Sequence, residues 1–288
     1  MSDPGPTSGR EKPAGPSNLR LRIISALVLI PLALLVTWMG GLVFRVFVAI
    51  VALAMIHEWL SITAGRDWSR THWLTGGLLA ALMVMLVAGI SPGVLLGLMI
   101  VAVAGAFVEA RFSGRDHWPP AGLLYAGLAG IALAMLRGAD AAGLWAILFL
   151  FAVVWVTDIA AYFVGRAIRG PKLAPRISPG KTWSGAIGGA LGGVVAGMAV
   201  AFFADARMGL MTIALLAFVL SVVAQLGDLF ESHLKRRFFV KDSGSLIPGH
   251  GGVMDRVDGL VAAAVAFYVV GMLMAGPSNP AQAFFTAG

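Results

Sequence analysis

Nine apolar runs, each of bilayer-spanning or near-spanning length, follow one another at roughly 23–39, 42–62, 73–89, 93–109, 121–137, 142–165, 184–204, 208–234 and 251–275, with Gly, Pro or charged residues at every break. A helix needs about 20 apolar residues to cross the hydrocarbon of a bilayer, and backbone that leaves water must satisfy its own hydrogen bonds. The expected fold is therefore all-α: a polytopic integral membrane protein of about nine transmembrane helices. The runs at 73–89, 93–109 and 121–137 are the shortest, and re-entrant segments are the alternative there. With 59% hydrophobic residues in 288, the chain has no room for a second soluble domain. The absence of cysteine excludes disulfides and thiolate metal sites.

The first 19 residues, rich in Pro, Gly and Ser, read as a disordered cytoplasmic tail. The run after Arg20 and Arg22 is long for a signal peptide and shows no small-residue cleavage site, so it reads as a retained span. Residues 20–140 then hold about five helices, residues 141–276 form a C-terminal transmembrane region, and 277–288 a short tail. Basic residues accumulate in cytoplasmic loops. With the N-terminus in the cytoplasm, all of the 21 Lys and Arg residues except Arg45, Arg137 and Arg207 fall on the inside. The net charge of +7 is thus accounted for by topology, and no nucleic-acid partner is inferred.

Only 12% of the residues are charged, yet residues 232–258 hold Lys235, Arg236, Arg237, Lys241, Asp242, His250, Asp255, Arg256 and Asp258. A carboxylate near the bilayer centre costs about 2.5–3.5 kcal/mol even on a lenient scale, so the depth of each acid is informative. Asp228 lies roughly 30 Å along its helix and Asp158 roughly 24 Å along its own, both toward the cytoplasmic edge. Asp255 and Asp258 begin the last helix at the same level. Asp228 with Glu231, Asp255 with Asp258, and Asp158 with Tyr162 are spaced to share helix faces. Paired carboxylates without Cys or paired His suit a hard divalent cation, Mg²⁺ rather than zinc. The alternative is that Asp228, Glu231 and Asp255 form interfacial ion pairs with Lys235, Arg236 and Arg256.

The loop leading to the seventh run ends in Ser178-Pro179-Gly180-Lys181-Thr182. A helix N-terminus preceded by Ser or Thr and Lys suits a phosphate group, although basic loops also arise from topology alone. It is not a Walker A loop, because Pro175 stands where that spacing requires glycine. Gly185, Gly189 and Gly193 permit close helix packing, with homodimerisation as a second reading. His57 and Glu58 read as an interfacial pair without function. Trp38, Trp59, Trp68, Trp73 and Trp118 read as an aromatic belt.

The pattern S-x-x-K-R-x₄-K-D-x-G-x₂-I-P-x-H-G-G-V-x-D-R-V-D, unbroken from Ser232 to Asp258, resembles the signature of the phosphatidate cytidylyltransferases, the CDP-diacylglycerol synthases. Asp158-x-x-Ala161-Tyr162-x-x-Gly165-Arg166, the Ser178–Thr182 segment and Gln225-Leu-Gly-Asp228-Leu-Phe-Glu231-Ser232 resemble the same family. The resemblance covers about residues 150–260, and the earlier helices match only in hydropathy. It implies that CTP and phosphatidic acid give CDP-diacylglycerol and pyrophosphate at a cytoplasm-facing site in the cell membrane. It implies one or two Mg²⁺ ions, or Mg²⁺ with a second cation of other identity. Carried onto this sequence, it makes Asp228 and Asp255 metal ligands, with Glu231 and Asp258 as additional ligands or as hydrogen-bonding partners of the ligands. Lys181, Lys235, Arg236, Lys241 and Arg256 would contact phosphates. Ser178, Thr182, Ser232, Asp242, His250, Gly251, Gly252, Asp158 and Tyr162 would complete the substrate site. A membrane transporter using the same charges is the alternative from another class. A CDP-alcohol phosphotransferase is disfavoured, since its D-G-x-x-A-R…G-x₃-D-x₃-D pattern is missing.

Overall fold

The computed structural model describes residues 18–64, 67–114, 117–247 and 251–286. Residues 1–17 of the tail expected at 1–19 and the candidate His250 lie outside these, and residues 18 and 19 belong to the first helix instead. Among the described residues there are nine long helices: α1 (Asn18–Met39), α2 (Gly41–Ala64), α3 (Arg70–Val87), α4 (Pro92–Phe112), α5 (Trp118–Arg137), α6 (Ala141–Ile168), α7 (Trp183–Phe203), α8 (Leu210–Arg237) and α9 (Met254–Ala275). From α2 onward, all eight are long and apolar enough to cross a membrane; in α1 the corresponding stretch is Leu27–Met39. The short runs make continuous helices of 18, 21 and 20 residues, with no re-entrant break.

The helix ends follow local chemistry. Pro92 opens α4, where its missing N–H costs nothing. Asp140 caps α6 by accepting from Gly143 N at 2.9 Å, and Thr182 caps α7 by accepting from Gly185 N at 3.1 Å. At its far end α6 stops where Arg169 and Gly170 take positive φ. The following segment, expected as a loop, is a short antiparallel hairpin of β1 (Lys172–Ala174) and β2 (Ser178–Thr182), with Lys172 opposite Thr182 and Ala174 opposite Ser178.

α5 is the central helix, the most buried of the spans, packed by α2, α3, α4 and α9. α6 and α7 pack along the glycine face of α7. A Cβ on Gly189 would stand 2.8 Å from Thr157 O and 3.0 Å from Ala161 Cβ, and one on Gly192 2.7 Å from Ala160 Cβ. That face is therefore filled from within the chain, while Ile187, Leu191 and Val195 point outward. At the end of the bundle away from the α8–α9 loop, residues 277–286 fold back. Phe284 and Phe285 are buried against Phe267 (4.8 Å between centroids) and Phe149 (5.8 Å).

Candidate active site

The C-termini of α2, α6 and α8 and the N-termini of α7 and α9 meet at one end of the bundle, and the acids highlighted by spacing gather there. They form two neighbouring groups. The first lines a cleft of about 810 Å³ between α6, the hairpin, α7 and α8, bounded by Asp158, Tyr162, Arg166, Arg169, Lys172, Lys181, Thr182, Gln225 and Asp228. Neighbouring side chains of a strand point to opposite faces. Thr182 accordingly turns in to cap α7, while Lys181 reaches across the cleft to an ion pair with Asp228. Ser232, one turn beyond, donates to Asp228 Oδ1 at 3.4 Å. Arg166 donates to the Tyr162 hydroxyl at 3.0 Å. The cleft thus has a basic wall from the end of α6 and the hairpin, facing two carboxylates. A cleft so lined can hold a polyanion.

The second group is built on the α8–α9 loop. Lys235 Nζ lies 2.6 Å from Asp255 Oδ1 and 3.3 Å from Glu231 Oε1. Asp255 Oδ2 accepts from Ser243 N (2.8 Å), Ser243 Oγ (2.8 Å) and Gly252 N (2.9 Å). Gly251 permits this closure, because it has a φ of +83° and a Cβ there would stand 2.8 Å from Asp255 Oδ2. Gly252 is needed for a different reason. A Cβ there would press into the Glu58 carboxylate of α2, 2.6 Å from Oε2.

Glu58 carries the clearest departure from the sequence reading. Rather than pairing at the interface with His57, it is 2% exposed and accepts from Val253 N and Met254 N, both at 2.8 Å, and from Ser243 Oγ at 3.1 Å. These are the free N–H groups at the start of α9. No helical spacing connects Glu58 to partners 185–196 residues away, so no sequence pattern announces it. Arg166, Arg169, Lys172 and Gln225 also line the cleft, although the sequence reading assigned none of them to the site. The signal available for the first three was the density of cations before Ser178.

The ion-pair alternative is met for Glu231 and Asp255, through Lys235, whereas Asp228 pairs with Lys181. Among the described residues no three carboxylate or imidazole side chains converge as a metal-binding cluster. Asp255, expected to ligate a metal, has both oxygens engaged by Lys235 and by loop donors. Glu231 differs: it is 1% exposed, Oε1 meets the Lys235 ammonium at 3.3 Å, and among the described residues Oε2 accepts no hydrogen bond. A buried carboxylate with so few partners, beside Asp258 and one turn from Asp228, offers hard donors of the kind a divalent cation satisfies. Arg236, Lys241, Asp242 and Arg256 are exposed around the loop, and Ser178 is half-buried in β2. Among the described residues, none of these five lines the cleft.

A family model described as the cytidylyltransferase family matches residues 20–274. The phosphatidate cytidylyltransferase of Brucella suis is 48% identical over 270 residues, covering 94% of this chain and 99% of that protein. That of Rickettsia bellii is 31% identical over 266 residues, covering 90% and 93%. That of Staphylococcus aureus is 33% identical over 251 residues, covering 83% and 94%. With the signature, the helical frame and near end-to-end relatives in agreement, the chain belongs to the phosphatidate cytidylyltransferase family.

Proposed function

We propose that this protein transfers the cytidylyl group of CTP to phosphatidic acid, giving CDP-diacylglycerol and pyrophosphate, from a site at the cytoplasmic face of the cell membrane. The phosphate oxygen of the lipid forms a bond to the α-phosphorus of CTP, and the bond from that phosphorus to the β-phosphate bridging oxygen breaks. The nucleophile is already anionic near neutral pH. The chemical problem is repulsion between two polyanions rather than removal of a proton.

The observation that carries the reading is the basic-walled cleft in which Lys181 meets Asp228. An incoming phosphate competes with Asp228 for Lys181, and Arg166, Arg169 and Lys172 add charge along the same wall. Thr182 and Tyr162 contribute hydroxyl groups there. Asp158 faces the same cleft from α6. Lys235, fixed by Asp255, directs an ammonium group toward the acids of α8 and α9, and the exposed Arg236, Lys241 and Arg256 attract anionic substrates to that end. Asp228, Glu231 and Asp258, which do not converge as a cluster by themselves, are the side chains that would have to turn onto Mg²⁺ to hold it. When bound there, the ion offsets phosphate charge on the nucleotide and the departing pyrophosphate. Asp255 acts by holding Lys235 and the loop.

Purified protein with Mg²⁺ is expected to convert labelled CTP and phosphatidic acid to CDP-diacylglycerol, with no product from lipid-free reactions and less from other nucleoside triphosphates. Asp228→Asn is expected to remove at least ~100-fold of this turnover while the protein stays folded. Binding of Mn²⁺, followed by its electron paramagnetic resonance signal, is expected to weaken in Glu231→Gln. Wild-type turnover in Asp228→Asn would overturn the assignment of the cleft.

A further inference from the structure

α9 starts without a cap of its own. The residue at its N-cap position is Val253, which has no side-chain acceptor. The first N–H groups of such a helix need acceptors, and an anion is favoured there by the helix dipole. Glu58 supplies both from another helix, with one carboxylate oxygen toward Val253 N and the other toward Met254 N. The fit is tight from two sides. Gly244 and Gly252 both abut the carboxylate, where a Cβ would stand 2.8 Å from Oε1 and 2.6 Å from Oε2 respectively.

The neighbouring residue fixes Glu58 in turn. Trp59 is 1% exposed and donates its indole N–H to Trp118 O at 2.8 Å. Its ring packs on Tyr125 (5.3 Å between centroids) and Phe230 (6.2 Å), the latter one residue before Glu231. The end of α2 is thus wedged between α5 and α8, and Glu58 has one place to go. From Glu58 a continuous chain of contacts runs inward. Ser243 Oγ lies between Glu58 Oε2 (3.1 Å) and Asp255 Oδ2 (2.8 Å), and Asp255 Oδ1 holds Lys235. A hydroxyl carries one proton, so Ser243 donates to one carboxylate at a time and ties the two together.

We propose that Glu58 is a positioning residue for the transfer reaction: as a cap in trans it fixes the start of α9 and, through Ser243 and Asp255, the place of Lys235. The inference rests on the cytidylyl-transfer reading given above. It assigns to the N-terminal helices a direct part in shaping the site, although Glu58 lies outside the signature and outside the cleft.

The test compares wild type with Glu58→Gln, Ser243→Ala, the double variant and His57→Ala as a neighbouring control, in the CTP and phosphatidic acid assay with Mg²⁺. Glutamine keeps the shape but faces an N–H donor with its own NH₂ group. Expected are a kcat at least ~10-fold lower for Glu58→Gln and for Ser243→Ala, KM for CTP within ~3-fold, and a double variant no worse than the poorer single one, because both cut one chain of contacts. Amide exchange of residues 251–258 is expected to quicken in Glu58→Gln, with His57→Ala unchanged in both measurements. A folded Glu58→Gln protein with kcat within twofold of wild type would overturn the proposal, even at lower melting temperature. If that variant does not fold, Ser243→Ala decides alone, and the same twofold limit applies. Failure of wild type itself to form product would instead strike the reading of the overall reaction.

Discussion

Asp255 and Asp228 are both aspartates at the same end of the bundle, but their surroundings set them apart. Asp255 accepts from four donors and is nearly enclosed, while Asp228 is about a third exposed and meets Lys181 in an open cleft. Breaking a buried pair leaves an uncompensated charge. Asp255→Asn is therefore expected to destabilise the protein by about 3 kcal/mol, the low end for such a pair because Lys235 retains some water. Thermal or denaturant unfolding in detergent checks this. Lys181→Met removes a cation that is ion-paired with one acid among the described residues, so its expected effect is a large rise in KM for CTP, on the order of 10-fold or more, with little change in melting temperature. The same contrast explains what was legible at this scale. Spacing singled out Asp228, Glu231, Asp255 and Asp258, because helical periodicity relates residues three or four apart. It was silent about Glu58, which accepts from backbone groups of a distant segment, and about Ser243, whose hydroxyl joins the carboxylates of Glu58 and Asp255.

At the scale of elements, the helices were legible because an apolar run ended by charge or proline leaves few choices in a bilayer. The hairpin was not. Its strands have three and five residues, one containing Pro179, and no alternation long enough to register as β structure. The start of α9 fell three residues later than the apolar run begins, since Gly251 and Gly252 are spent on admitting Asp255 and Glu58. The α6–α7 contact has a sharper consequence. Gly189→Val would drive a branched side chain into Thr157 O and Ala161, and overpacking of this kind typically costs about 1–3 kcal/mol. Leu191→Ala, on the outward face, is expected to leave stability within about 0.5 kcal/mol. Melting curves of the two variants in one detergent separate these outcomes.

For the whole molecule, the two ends of the bundle are built for different purposes. One carries the charged site, and the other is closed by Phe284, Phe285 and the Gln282–Asp140 hydrogen bond (2.8 Å). Phe285→Ala is expected to cost about 3–5 kcal/mol, as for a fully buried aromatic, without altering KM for CTP. Orientation in the bilayer can be read directly because the chain has no cysteine of its own. A cysteine placed at the exposed Phe239, in the α8–α9 loop, is expected to react with an impermeant maleimide only from the cytoplasmic side. One at the exposed Asp205, at the opposite end, should react only from outside.

The cap that Glu58 places on α9 also says something about the order of events in making the protein. Val253 and Met254 follow Glu58 in the chain by 195 and 196 residues, so during synthesis α2 is threaded into the membrane long before its partners exist. Until then its carboxylate has to stay in the water at the membrane surface, since an unpaired acid is costly in hydrocarbon. Trp59 finds its partners on α5 and α8 before that, but Glu58 gains its own only when the last helix arrives. Maturation of the site is therefore the closing event of biogenesis, and a ribosome stalled before α9 would leave eight inserted helices around an unfinished centre.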